Sequence, residues 1–114
     1  MIEVHPHACY GTLLGRRPLQ KTSLEGRLQR QMVLYMEGVD LANPVHVIEE
    51  VSRHHLLTGE LPLDGLYSHD SLDALVGAYT AFLVDQRPGR TSQIGDADEG
   101  LITLPVSVLK DSYS

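Results

Sequence analysis

A chain of 114 residues with 42% apolar and 21% charged side chains holds one domain, residues 1–114, that buries about two thirds of its unfolded surface, and this composition excludes a disordered chain. No apolar run reaches the ~20 residues of a membrane span, the lone Cys9 excludes an internal disulfide, and the N-terminus shows neither a charged leader nor an apolar signal core, so a cytoplasmic location is expected. The net charge of −6 is uneven: residues 1–36 carry five basic residues against two acids, a balance of +3, and the remainder carries four against thirteen, a balance of −9, so only the N-terminal third suits a phosphate backbone.

Ile2-Glu3-Val4-His5 alternates apolar and polar residues and stops at Pro6, which predicts a short strand with one wet face. His7 to Leu14 predicts a short helix closed by Gly15, with Arg16-Arg17-Pro18 as the following loop. Thr22-Ser23-Leu24-Glu25 matches a capping box, with the Thr22 hydroxyl and the Glu25 carboxylate serving opposing backbone N–H groups. Behind it, Leu24, Leu28, Met32, Tyr35 and Met36 trace one helical face, which sets Arg27, Arg30 and Gln31 on the other side, toward solvent or a partner; Gly38 ends the segment.

Asn43-Pro44 pairs an N-cap residue with proline at the first helical position. Val47, Ile48, Val51 and His55 continue on one face, Glu49 and Glu50 come early and His54 late, as the helix dipole favours, and Gly59 closes the helix. Residues 60–67 form a loop. The next helix is the chain's clearest: Leu72, Leu75, Val76, Tyr79, Phe82 and Leu83 recur at three-and-four spacing up to about Asp85, before Arg87-Pro88-Gly89-Arg90 breaks it. Thr91 to Gly100 reads as a polar, acidic, mobile loop. Leu101 to Leu104 predicts a strand stopped by Pro105, with Val106 to Leu109 its continuation or a third strand. The fold class is therefore α/β: three to four helices packed on a small sheet of two or three short strands. Such a sheet is marginal alone, so a second copy or another chain is expected to complete it.

Ser68-His69-Asp70-Ser71-Leu72-Asp73 opens that clearest helix and holds the acids of greatest chemical interest. Carboxylates three residues apart on a helix have Cβ atoms roughly 5–6 Å apart and can lean toward a divalent cation. Capping explains the same pair: Asp70 as N-cap with Asp73 three residues in, or Ser68 as cap with both acids in the first turn. Their mutual repulsion costs about 0.2–0.5 kcal/mol, against about 0.3–1 kcal/mol per acid from the helix dipole and about 1 kcal/mol from a cap, so the pair is tolerated without a metal.

The six histidines make a weaker case. His5 and His7 lack a cysteine or carboxylate at zinc-finger spacing, His54 and His55 point apart on their helix, and His69 is expected as an exposed first-turn residue. Cys9 has no recognisable activating neighbour and reads as a packed thiol. Arg16, Arg17, Lys21, Arg27 and Arg30 either track a nucleic-acid backbone or form a solvated face, with no aromatic residues interleaved for base stacking.

Ile2-Glu3-Val4-His5-Pro6, then Lys21 with Gly26 and Arg30, then Asp70-Ser71-Leu72-Asp73-Ala74-Leu75-Val76-Gly77-Ala78-Tyr79-Thr80-Ala81, then Glu99-Gly100-Leu101-Ile102-Thr103-Leu104-Pro105 resemble, in order, the later motifs of the domain-of-unknown-function family four-two-nine, described as predicted RNase H-like nucleases. The helix motif with its paired Asp is also similar to the final motif of RuvC-type junction resolvases. The resemblance implies a partial RNase H-like fold, the C-terminal half of such a domain, with Asp70 and Asp73 as catalytic ligands for Mg²⁺ or Mn²⁺ and Glu3, on its strand, as a further family-motif position counted among the catalytic acids. It also implies an aspartate-bearing first strand that has no counterpart upstream of Glu3. Two expectations follow: a metal-dependent phosphodiester hydrolase whose site is completed by another segment or subunit, or a non-catalytic oligomerising or binding module derived from that fold.

Overall fold

Proline lacks a backbone N–H and holds φ near −65°, so it opens a helix without cost. In the computed structural model of the chain, Pro6 does this for α1, Pro6–Leu14. The structure describes residues 3–59, 65–96, 100–110 and 113. Three further helices follow, α2 (Leu24–Met36), α3 (Pro44–Thr58) and α4 (His69–Gln86), then a 3₁₀ turn (Pro88–Arg90) and strands β1 (Ser92–Asp96) and β2 (Gly100–Leu104). No helix among the described residues is long and apolar enough to cross a membrane. The chain is mixed α/β, and its contacts gather into two compact units, residues 1–18 with 73–114, and residues 19–72.

In the first unit, α1 ends at Gly15, whose φ of 75° lies in the left-handed region that glycine enters freely. β1 and β2 form an antiparallel hairpin, from Ser92 opposite Leu104 to Asp96 opposite Gly100. Glu3 lies along the other side of β2 in a single parallel bridge to Ile102, its carbonyl accepting the Thr103 N–H at 2.9 Å. The expected strand Ile2–His5 is thus cut to one bridge among its described residues, because Pro6 turns the chain into α1; Met1 and Ile2 lie outside the described residues. Cys9 of α1 ties the layers together, its Sγ 3.7 Å from the Thr80 hydroxyl of α4 and 3.9 Å from the Thr103 carbonyl of β2. Tyr10, Val76, Tyr79, Leu83 and Leu104 are buried in the same unit.

Three expectations for this unit are corrected. The segment read as a mobile loop contains β1, a strand of low intrinsic β propensity that exists because β2 pairs with it. Val106 to Leu109 is irregular rather than extended into a sheet, since Pro105 offers no N–H to a ladder. On α4, Phe82 is 54% exposed while Thr80 is fully buried; the Thr80 hydroxyl donates to the Val76 carbonyl at 2.8 Å, so its polar atom is satisfied inside the helix.

In the second unit, Ser23 rather than Thr22 caps α2: its Oγ accepts the Gly26 N–H at 2.9 Å. Gly26 sits so close to the preceding loop that an added Cβ would lie 1.9 Å from the Gln20 carbonyl oxygen, which explains its presence in a first helical turn. The Asn43 side chain accepts the Val45 N–H at 3.0 Å and caps α3 as expected, and Gly59 (φ 78°) follows its last residue. Leu34, Val47, Leu66 and Leu72 are buried here.

The polar side of α2 departs most from expectation. Arg30 is 2% exposed and Gln31 fully buried. Arg30 donates to the Leu19 carbonyl at 2.7 Å and the Gly26 carbonyl at 3.1 Å, and Gln29 Oε1 accepts the Leu19 N–H at 2.8 Å. Gln31 Nε2 donates to the Ala42 and Gly65 carbonyls, both at 2.8 Å, while its Oε1 accepts the Tyr67 N–H at 2.9 Å. Arg27 Nε donates to the Tyr67 carbonyl at 3.0 Å. These side chains satisfy loop backbone that has no ladder of its own, which is why they turn inward.

Candidate functional site

The helix-opening acids are positioned by a serine. Ser68 Oγ accepts the Ser71 N–H at 3.2 Å and the Ser68 carbonyl takes the Leu72 N–H at 2.9 Å, so Ser68 is the N-cap of α4. Of the two capping alternatives, the second holds for Asp70, which lies in the first turn. Asp73 falls one turn later, clear of the unsatisfied N–H groups. Capping therefore does not account for Asp73.

Asp70 carries a side chain 88% exposed, and Asp73 is half-buried. His69 Nδ1 lies 3.3 Å from Asp70 Oδ1, close enough for an ion pair if the ring is protonated but out of line for a hydrogen bond. That nitrogen is buried without a hydrogen-bond partner among the described residues. His69 is thus a half-buried first-turn residue rather than an exposed one.

Glu3 projects an exposed carboxylate, its Oε1 3.2 Å from His5 Nε2. Among the described residues no three His, Cys, Asp or Glu side chains converge as a metal-holding group. Glu3 and Asp73, both in the first unit, accordingly belong to no such group, and His5 pairs with Glu3 rather than with His7.

The basic residues separate in the same way. Arg16, Arg17 and Lys21 are exposed. Arg27 and Arg30 are engaged with backbone carbonyls, so the expected solvated face of α2 is instead a set of inward tethers. The Cys9 thiol is fully buried, and burial pushes its pKa up, opposed in part by its hydrogen bonds with Thr80 and the backbone; it is a packed thiol.

The fold is that of a small mixed α/β protein with acids at a strand edge and at a helix opening. A family model described as "Protein of unknown function (DUF429)" matches residues 1–100, and the chain belongs to that family. No curated protein and no solved structure matches it.

Proposed function

We propose that this chain supplies part of the acid set of an RNase H-like, metal-dependent phosphodiester hydrolase and that a second copy or another chain completes it. The observation that carries the reading is the placement of Glu3 and Asp73 within one compact unit, Glu3 alongside β2 and Asp73 on α4 in a position that capping does not explain. Membership of the family, whose later motifs resemble those of RNase H-like nucleases, supports it.

Carboxylate oxygens suit hard cations such as Mg²⁺ or Mn²⁺, and Mg²⁺ commonly takes only one or two protein carboxylates beside water and phosphate. Asp70 and Asp73, neighbours on α4, would hold one ion, which would supply Lewis-acid charge at a phosphodiester. A pair of ions roughly 3.5–4 Å apart needs further acids, and these would come from the partner. β2 lies between β1 and the Glu3 bridge, so the outer edge of β1 is unpaired among the described residues, and unpaired edges invite a strand from another chain.

A second reading, a non-catalytic oligomerising or binding module, is favoured by one observation: no three acid, histidine or cysteine side chains converge among the described residues. Calorimetric titration of Mn²⁺ into the wild type and Asp73→Asn separates the two. The enzyme reading expects saturable heats in the wild type, weakened about tenfold or more in the variant. Identical traces with no saturation in either remove it and leave the binding module.

A further inference from the structure

A cavity of about 260 Å³ has all its described lining residues in the first unit, and neither proposed function uses it. Its apolar wall is built from three parts of the chain: Ala8 on α1, Ile94 and Leu104 on the hairpin, and Leu109 in the segment after β2. Gly11, on the same face of α1 as Ala8, also lines it; a Cβ there would sit 3.8 Å from Pro18 Cδ, so the absent side chain leaves part of the space open.

Among the described residues, the polar lining is one-sided in charge: His7, Arg17 and Lys110 line the cavity and no described carboxylic acid does, in a chain whose fifteen acids outnumber its nine lysines and arginines. Lys110 is held in place: its Nζ donates to the Gly15 carbonyl at 2.8 Å, and its backbone N–H donates to the Tyr113 hydroxyl at 2.9 Å. An ammonium has three donors, so this one bond fixes the head and leaves donors for a ligand. Arg17, exposed beside the cavity, adds a planar fork suited to two oxygens of one head group.

Pockets for drug-sized ligands run from about 300 Å³ upward, so this one suits a smaller body, a single ring or a short acyl chain. We propose that it binds a small organic anion, the apolar body against Ala8, Ile94 and Leu104 and the carboxylate or phosphate head group between Arg17 and Lys110.

The test titrates the isotopically labelled full chain with phenyl phosphate, benzoate, benzyl alcohol and inorganic phosphate, following the amide resonances of Thr12 and Ile94. Saturable shifts are expected for at least one aromatic anion with a Kd of about 1 mM or tighter, and the tighter of the two identifies the head group. Benzyl alcohol, which lacks the charge, and inorganic phosphate, which lacks the apolar body, are each expected to bind about tenfold or more weakly. Arg17→Gln, a change at an exposed position, is expected to weaken the anion about tenfold and leave benzyl alcohol unaffected, with Arg17→Lys retaining most of the affinity. No saturable shift below ~10 mM, equal binding of benzyl alcohol, or an Arg17→Gln variant that binds the anion as tightly as wild type overturns the proposal.

Discussion

Replacing Gln31 by methionine keeps the length and much of the shape of the side chain and removes every hydrogen bond it makes. Three are lost: two donated to the Ala42 and Gly65 carbonyls and one accepted from the Tyr67 N–H. A hydrogen bond contributes about 1 kcal/mol net, and a partner left buried and unsatisfied costs about 1–3 kcal/mol. Ala42 is exposed and Gly65 and Tyr67 are half-buried, so water reaches some of the stranded groups and the lower figure applies to each. The expected loss is about 3 kcal/mol, reduced to about 2–3 kcal/mol by the more favourable burial of the thioether. That is a large share of the roughly 5–15 kcal/mol by which domains are stable. With a urea m-value of about 2 kcal/mol/M, the unfolding midpoint, followed by circular dichroism, drops by roughly 1–1.5 M. A drop below ~0.3 M with an unchanged m-value would refute the assignment of Gln31 as the residue that holds the loops on either side of α3.

Two further predictions use glycine and cysteine. Gly77 lies inside α4 with no atom of the described residues within 4 Å of an added Cβ, so Gly77→Ala should stabilise by roughly 0.5–1 kcal/mol through helix propensity, raising Tm in a thermal scan. Gly26→Ala, whose Cβ would meet the Gln20 carbonyl oxygen at 1.9 Å, should instead lower Tm sharply or prevent folding. The Cys9 thiol has its pKa raised above the ordinary thiol value by burial, so the folded state resists its ionisation: this contribution is flat at neutral pH and is lost as pH rises past the unfolded value. Urea midpoints measured from pH 7 to about 10.5 should fall more steeply above pH ~9 in the wild type than in Cys9→Ala; parallel profiles would contradict the burial argument.

The helices themselves are written locally. Pro6, Pro44, Gly15, Gly38 and Gly59 mark their boundaries because proline and glycine act on the backbone at their own positions, and the observed ends fall within a residue or two of those marks. The paired acids of the α4 opening were also legible, since i and i+3 are neighbours on any helix. Which serine or acid caps was not, because Ser68, Asp70 and Ser71 are all competent caps and only the set of the incoming loop selects one.

Tertiary structure decided what no local rule encodes. Gln31 and Arg30 look like solvent-facing helix residues, yet they are buried because Leu19, Ala42, Gly65 and Tyr67, distant in sequence, present backbone groups that need partners. β1 is a strand because β2 pairs with it, and a strand's hydrogen bonds, unlike a helix's, lie outside its own segment. The cavity brings α1, the hairpin and the segment after β2 onto one void, gathering His7, Arg17 and Lys110 from positions whose charges carry no common signature. Where the backbone can and cannot be helical is settled within a few residues of the chain, whereas which polar groups are enclosed and which charges meet depends on contacts between segments far apart in it.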